Sequence, residues 1–167
     1  MHRRLLIGLA ILAVVGAVIG VEVLSGTSNG PGTGKPAPPL PTSVLVPPRV
    51  TLASLRGKPA AIHFWASWCD PCREEASGLE RLARSLHGRA RLVGVDWTDG
   101  LSGARSYVER YHWTFPNLRD PDGVVGNSYG IQGLPTTFIL NSRGTITEVL
   151  RGPQSLESLR QALFSAG

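Results

Sequence analysis

Cysteine is scarce: two in 167 residues. No framework of disulfides can therefore staple a small fold together. Aromatic residues are also few, at 7%, but Leu, Val, Ile and Ala are plentiful enough to build a core, which excludes global disorder. No block of like charge occurs. The formal net charge is +5, and from Lys35 onward 15 basic residues face 11 acidic ones, an excess of +4 spread along the chain. A nucleic-acid surface calls for clustered basic residues, so no nucleic-acid partner is expected. No internal repeat is present. The length suits one domain plus an accessory segment.

One long apolar run stands at the N-terminus. Arg3 and Arg4 precede Leu5 to Val21, which carries no charged residue. That run is at the short end of what crosses a bilayer. A cleaved signal peptide competes with an uncleaved anchor, but VEVLSG (21–26) offers no small-x-small cleavage site. The expectation is a transmembrane helix within residues 1–24, with the arginines on the cytoplasmic side and the rest of the chain outside. Residues 25–41, SGTSNGPGTGKPAPPLP, read as a flexible Gly/Pro-rich linker with one charge. Residues 42–167 then form the folded head.

Within the head, Pro59 to Trp65 is a short apolar run, expected as a strand buried on both faces. Cys72 to His87 has the spacing of a helix, with Ala76, Leu79, Leu82, Ala83 and Leu86 on one stripe. Ala90 to Val95 reads as a second buried strand, and Ser102 to His112 as a second helix. Phe115 to Ile131 reads as irregular, with a turn at DPDG (120–123). Thr136 to Leu140 and Thr145 to Leu150 flank NSRG and read as a hairpin. Ser155 caps a last helix carrying Leu156, Leu159 and Leu163. The order predicts an α/β fold, helices over a mixed central sheet.

Both cysteines sit in one motif, Trp68-Cys69-Asp70-Pro71-Cys72, between a buried strand and a helix. A Cys-x-x-Cys at such a junction is a redox motif. At the helix start, unpaired N–H groups and the dipole favour an anion, so a Cys69 thiolate is stabilised there. Pro71 fits the first turn, where its missing N–H costs nothing. Cys72, one turn in, can attack a mixed disulfide on Cys69. Cys69 is accordingly expected to be the exposed thiol and Cys72 to turn inward.

FWASWCDPC (64–72), followed far downstream by GLPTTF (133–138), resembles the thioredoxin superfamily, and within it the membrane-tethered TlpA/ResA/CcmG (DsbE) group of thiol–disulfide oxidoreductases. LRGKP (55–59), VGVD (93–96), DPDG (120–123), YGI (129–131) and LNSRG (140–144) add to the likeness, which runs from residue 37 to about 152. The resemblance implies a thioredoxin-like fold, with Cys69 as nucleophile and Cys72 as resolving thiol. It also implies a cis Pro135 facing the disulfide, with Leu134 offering its backbone to a partner. Trp68, Asp70, Pro71 and Leu134 are the expected partner-binding residues. The redox-active disulfide is then the whole active group, with no other cofactor and no metal. The implied partners are extracytoplasmic protein thiols and disulfides, apocytochrome c cysteines among them, with a membrane thiol reductase as electron donor.

Two departures from the group matter. Six residues before the first cysteine, where the group has Asn and thioredoxins Asp, this chain has His63, either a proton relay to Cys72 or a core histidine held by a backbone carbonyl. The stretch PPLPTSVLVPP (38–48) lacks the expected Asp-Gly turn, so any strand there is short and at an edge. At ~100° per residue, Glu75 falls on the buried stripe with Cys72 and Glu74 falls opposite. The resemblance agrees with a functional role for Glu75. Its alternative is a head swung to solvent or paired with an arginine.

Rival chemistries fit less well. A copper-chaperone-like metal site would use Cys69, Cys72 and His63, but related copper chaperones space their cysteines by three residues. Haem attachment needs a His after the second cysteine, and Arg73 stands there. A peroxiredoxin wants Thr at position 66, which is Ala. Between reductase and DsbA-type oxidase, Asp70 favours the reductase, because a negative charge beside Cys69 destabilises its thiolate.

Overall fold

The computed structural model describes residues 30–167. The expected anchor lies outside them. Among the described residues, no helix is long and apolar enough to cross a membrane. The strands are β1 (Ser43–Val46), β2 (Ala60–Trp65), β3 (Arg91–Trp97), β4 (Asn117–Asp120), β5 (Thr136–Leu140) and β6 (Ile146–Arg151). The helices are α1 (Leu52–Leu55), α2 (Asp70–Ser85), α3 (Leu101–Arg110), α4 (Val124–Tyr129) and α5 (Leu156–Ser165).

The strands form one sheet in the order β1-β4-β3-β2-β5-β6. β2 runs parallel to β3, and β3 to β4, while the other neighbours are antiparallel. The sheet is mixed, as expected, and β2 lies inside it. All six β2 side chains are buried, and they alternate between two cores. Ala61 and Trp65 pack with α2, α3 and α5. Ala60, Ile62 and Phe64 pack with Leu118, Tyr129 and Phe138 on the other face. His63 has the parity of Ala61 and Trp65, so the pleat turns it toward α2.

β1 is the short edge strand that the prolines require, and its ladder with β4 slips between Val44 and Val46. The segment 115–131, read from sequence as irregular, instead contains β4 and α4. β4 is NLRD, with no apolar alternation to announce it. Its polar residues are buried because they are bonded: Asn117 Oδ1 accepts from Trp65 Nε1 at 2.9 Å and Asn117 Nδ2 donates to the Phe115 carbonyl at 3.0 Å. Gly94 leaves the room for this, since a Cβ there would collide with the Asn117 side chain. α4 has six residues, too few for a helical period. Asp120 caps it, accepting from Val125 N at 3.1 Å and Gly126 N at 2.7 Å.

The segment expected as a free linker also departs from expectation over its second half. Gly34 N donates to the Ile146 carbonyl, Ile146 N to that of Lys35 and Ala37 N to that of Gly144, all within 2.8–3.1 Å. Tyr129 Oη donates to the Pro38 carbonyl at 2.6 Å. The start of β6 offers an open edge, and backbone groups around Pro36 pair with it. Pro36, which lacks an N–H, takes a position where none is needed.

Candidate active site

Two strand ends and one helix start converge on the cysteines. β2 ends at Trp65, a turn follows through Ser67 and Trp68, and α2 begins at Asp70 with Cys69 as its N-cap. Cys69 and Cys72 are joined as a disulfide. Cys72 N–H points at Cys69 Sγ, 3.1 Å away. That donor is one of the orphan amides of the first turn, and it would hold a Cys69 thiolate by a charge-assisted hydrogen bond.

Cys69 is not the exposed residue that was expected. It is 3% exposed against 1% for Cys72, and Leu134, in the loop before β5, packs on the core cluster that contains both cysteines. The Leu134–Pro135 bond is cis. Trp68 is 54% exposed, and Asp70 and Pro71 also face solvent.

The turn before Cys69 is held by a loop that sequence reasoning missed. Asp99, just after β3, accepts from Ser67 N at 2.6 Å and from Ser67 Oγ at 3.0 Å. Trp68 Nε1 donates to the Thr98 carbonyl at 3.2 Å. Nothing local marks Asp99 as a partner of a residue 32 positions away.

Glu75 is 5% exposed and Glu74 faces solvent, as the azimuth required. Neither alternative for Glu75 holds. Its Oε2 accepts from Gln154 N at 2.8 Å, and its Oε1 lies 3.4 Å from His63 Nε2. His63 is fully buried, and its Nδ1 is 2.9 Å from Thr137 Oγ1, so a side chain rather than a backbone carbonyl holds it. Nε2 and Oε1 have no other partner. Burial pushes His63 down to about 3. Burial pushes Glu75 up to about 7, with the Gln154 amide opposing and Glu74 adding. A neutral imidazole and a carboxyl that titrates near neutrality thus share one buried gap, and Glu75 lies one turn from Cys72.

Among the described residues, no three His, Cys, Asp or Glu side chains gather as a metal site. The two His63 nitrogens are turned to Thr137 and Glu75. Ala66, where a peroxiredoxin would have Thr, is buried in the core.

A sequence profile of the AhpC/TSA family matches residues 33–149. The chain is 35% identical to the thiol:disulfide interchange protein DsbE of Allochromatium vinosum, over 90% of this chain and 85% of that one. It is 26% identical to the thiol-disulfide oxidoreductase ResA of Bacillus cereus, over 96% and 95%. The fold is similar to that of a secreted Mycobacterium tuberculosis disulfide oxidoreductase described as homologous to E. coli DsbE. That likeness has a TM-score of 0.68 and 28% identity, and covers 75% of this chain and 95% of the other.

Proposed function

The chain belongs to the AhpC/TSA family of thioredoxin-like proteins and is a thiol–disulfide oxidoreductase of the ResA/DsbE type, and from that premise we propose that it acts outside the cytoplasm as a reductant of protein disulfides. The observation that carries Cys69 as the attacking thiol is the Cys72 N–H aimed at Cys69 Sγ at the start of α2; the reducing direction rests on the acidic groups near the thiolate. In the reduced protein the Cys69 thiolate attacks one sulfur of a partner disulfide. The partner S–S bond breaks, one partner thiolate leaves, and a mixed disulfide forms on Cys69. Cys72 then gives up its proton and attacks Cys69 Sγ. The second partner thiolate leaves, two electrons have passed to the partner, and the Cys69–Cys72 disulfide remains. On this reading Glu75 receives the Cys72 proton. Leu134, with Trp68, Asp70 and Pro71, forms the surface that the partner meets, while Pro135 is buried.

Direction follows from charge near the thiolate. Asp70 adjoins Cys69, and Glu75, one turn beyond Cys72, becomes an anion above about pH 7. Both oppose a second negative charge, which destabilises the reduced form and lowers the potential. Arg73 bonds Asp70 at 2.5 Å and offsets part of its charge, so Glu75 carries more of the effect. The reduction potential of the Cys69–Cys72 couple decides the matter. A value near or below that of thioredoxin, about −270 mV, supports a reductase, whereas one near about −120 mV would make the protein an oxidase of DsbA type.

The proposed substrates are extracytoplasmic disulfides, with apocytochrome c cysteines the leading class, and a membrane thiol reductase returns the electrons. Residues 1–24 anchor the chain. Because Gly30 lies against the Tyr129–Gly130 backbone and residues from Gly34 onward are bonded to the head, only residues 25–29 separate the proposed anchor from the head, a span of at most ~18 Å. The head therefore works close to the bilayer. Membranes washed in alkaline carbonate retain the intact chain on this reading, and recovery of a soluble form starting near residue 25 overturns the anchor.

A further inference from the structure

Beside the cysteines, on the α3 side, lies a cavity of about 160 Å³ lined by Ser67, Arg73, Ser106, Tyr107, Arg110 and Tyr111, together with Gly103. Gly103 lets α3 approach this closely, since a Cβ there would land on Ser67 Oγ. The lining has two guanidinium groups and no carboxylate. Arg73 bonds Asp70 and reaches the Ser67 carbonyl, which leaves most of its five donors free. Arg110 makes no ion pair or side-chain hydrogen bond among the described residues. Tyr107 is 5% exposed, and its Oη is buried without a partner. A buried hydroxyl with no acceptor costs stability, and Arg110 lines the cavity with no anionic partner of its own, whereas Arg73 already holds Asp70. A single carboxylate entering the cavity would answer all three donors at once.

We propose that this cavity is a specificity subsite that takes the side-chain carboxylate of an Asp or Glu in the partner polypeptide, close in sequence to the cysteine being attacked. The inference rests on the thiol–disulfide reading above. Ser67 lies in the turn just before Cys69, Arg73 follows Cys72 in α2, and both line the cavity, so a partner sulfur at Cys69 places neighbouring residues of its own chain at the cavity mouth. The subsite would select acidic partners and would weaken with salt, because its arginines are partly solvent-facing.

The test uses the reduced full-length protein and a set of synthetic peptide disulfides. A single Glu is moved through the positions on either side of the peptide cysteine, and each peptide has a twin with Gln. At low ionic strength kcat/KM for the Glu peptide exceeds that for its twin by about tenfold at one or more positions, the size expected for one charge-assisted contact of about 1.4 kcal/mol. The ratio falls toward one in Arg110→Gln and in about 0.5 M salt, and drops severalfold in Tyr107→Phe. A ratio of one throughout in the wild type, or a ratio that survives Arg110→Gln, overturns the subsite. Competition by free glutarate without any peptide preference assigns the cavity to a small dicarboxylate and overturns the polypeptide source. Failure to reduce either twin is a different result, and overturns the thiol–disulfide reading itself.

Discussion

The Cys72→Ser protein accumulates mixed disulfides with its partners through Cys69, and its multiple-turnover exchange falls by roughly three orders of magnitude or more. The physical reason is that the substitution removes the resolving thiol and leaves the attacking one supported. Cys69 remains the N-cap of α2. The stabilising donor is the backbone N–H of residue 72, which serine keeps. The first displacement therefore proceeds. The second one loses a nucleophile held one turn away, whose effective concentration no solution thiol matches. Cys69→Ser has the opposite phenotype, with no covalent partner at all. Both residues are buried, so exposure does not choose between them; the helix-start hydrogen bond does. Mass spectrometry of trapped complexes and of brief alkylation of the reduced wild type reads the outcome. Labelling of Cys72 ahead of Cys69 reverses the assignment.

Glu75→Gln gives the second large effect. The amide keeps the shape, can still accept from Gln154 N, and can donate to His63 Nε2 across the 3.4 Å gap. What it removes is a titrating charge. The cysteine titration shifts to lower pH, because no carboxylate opposes the thiolate, and exchange at neutral pH slows, because Cys72 loses its proton acceptor. Stability changes with a definite sign. Glu75 rises from 4.5 to about 7 in the folded state. Its contribution is fully present below pH 4.5 and is lost as pH rises through about 7, on the order of 3 kcal/mol in all. His63 falls from 6.5 to about 3. Its contribution is present above pH 6.5 and is lost as pH falls toward 3. Between pH 4.5 and 6.5 the two slopes oppose each other in the wild type. Glu75→Gln uncovers the His63 slope, so the variant gains stability with rising pH relative to the wild type across that window. Chemical denaturation of both oxidised proteins from pH 4 to 8 measures the difference. Parallel stability curves together with an unchanged cysteine titration make Glu75 a bystander.

The active-site helix was legible because its signals are local. A continuous apolar run reads as β2, Cys-x-x-Cys with Pro71 reads as a helix start, and the 100° step alone separates buried Glu75 from exposed Glu74. The hairpin around NSRG and the Ser155 cap were legible for the same reason. β4, α4 and the docked residues 34–38 were not, because polar residues or prolines make up much of these segments and distant partners satisfy them: Trp65 for Asn117, and the start of β6 for the former linker. The partner of His63 was equally hidden. Strand parity aims it at α2, but only the packed fold brings Glu75 Oε1, Thr137 and Gln154 into one buried cluster from three separate elements and loops. Periodicity thus settled which face each residue presents. Which charges meet across those faces, including the two arginines beside the cysteines, was decided by tertiary packing, since electrostatic pairing depends on distance in space and leaves no period in the chain.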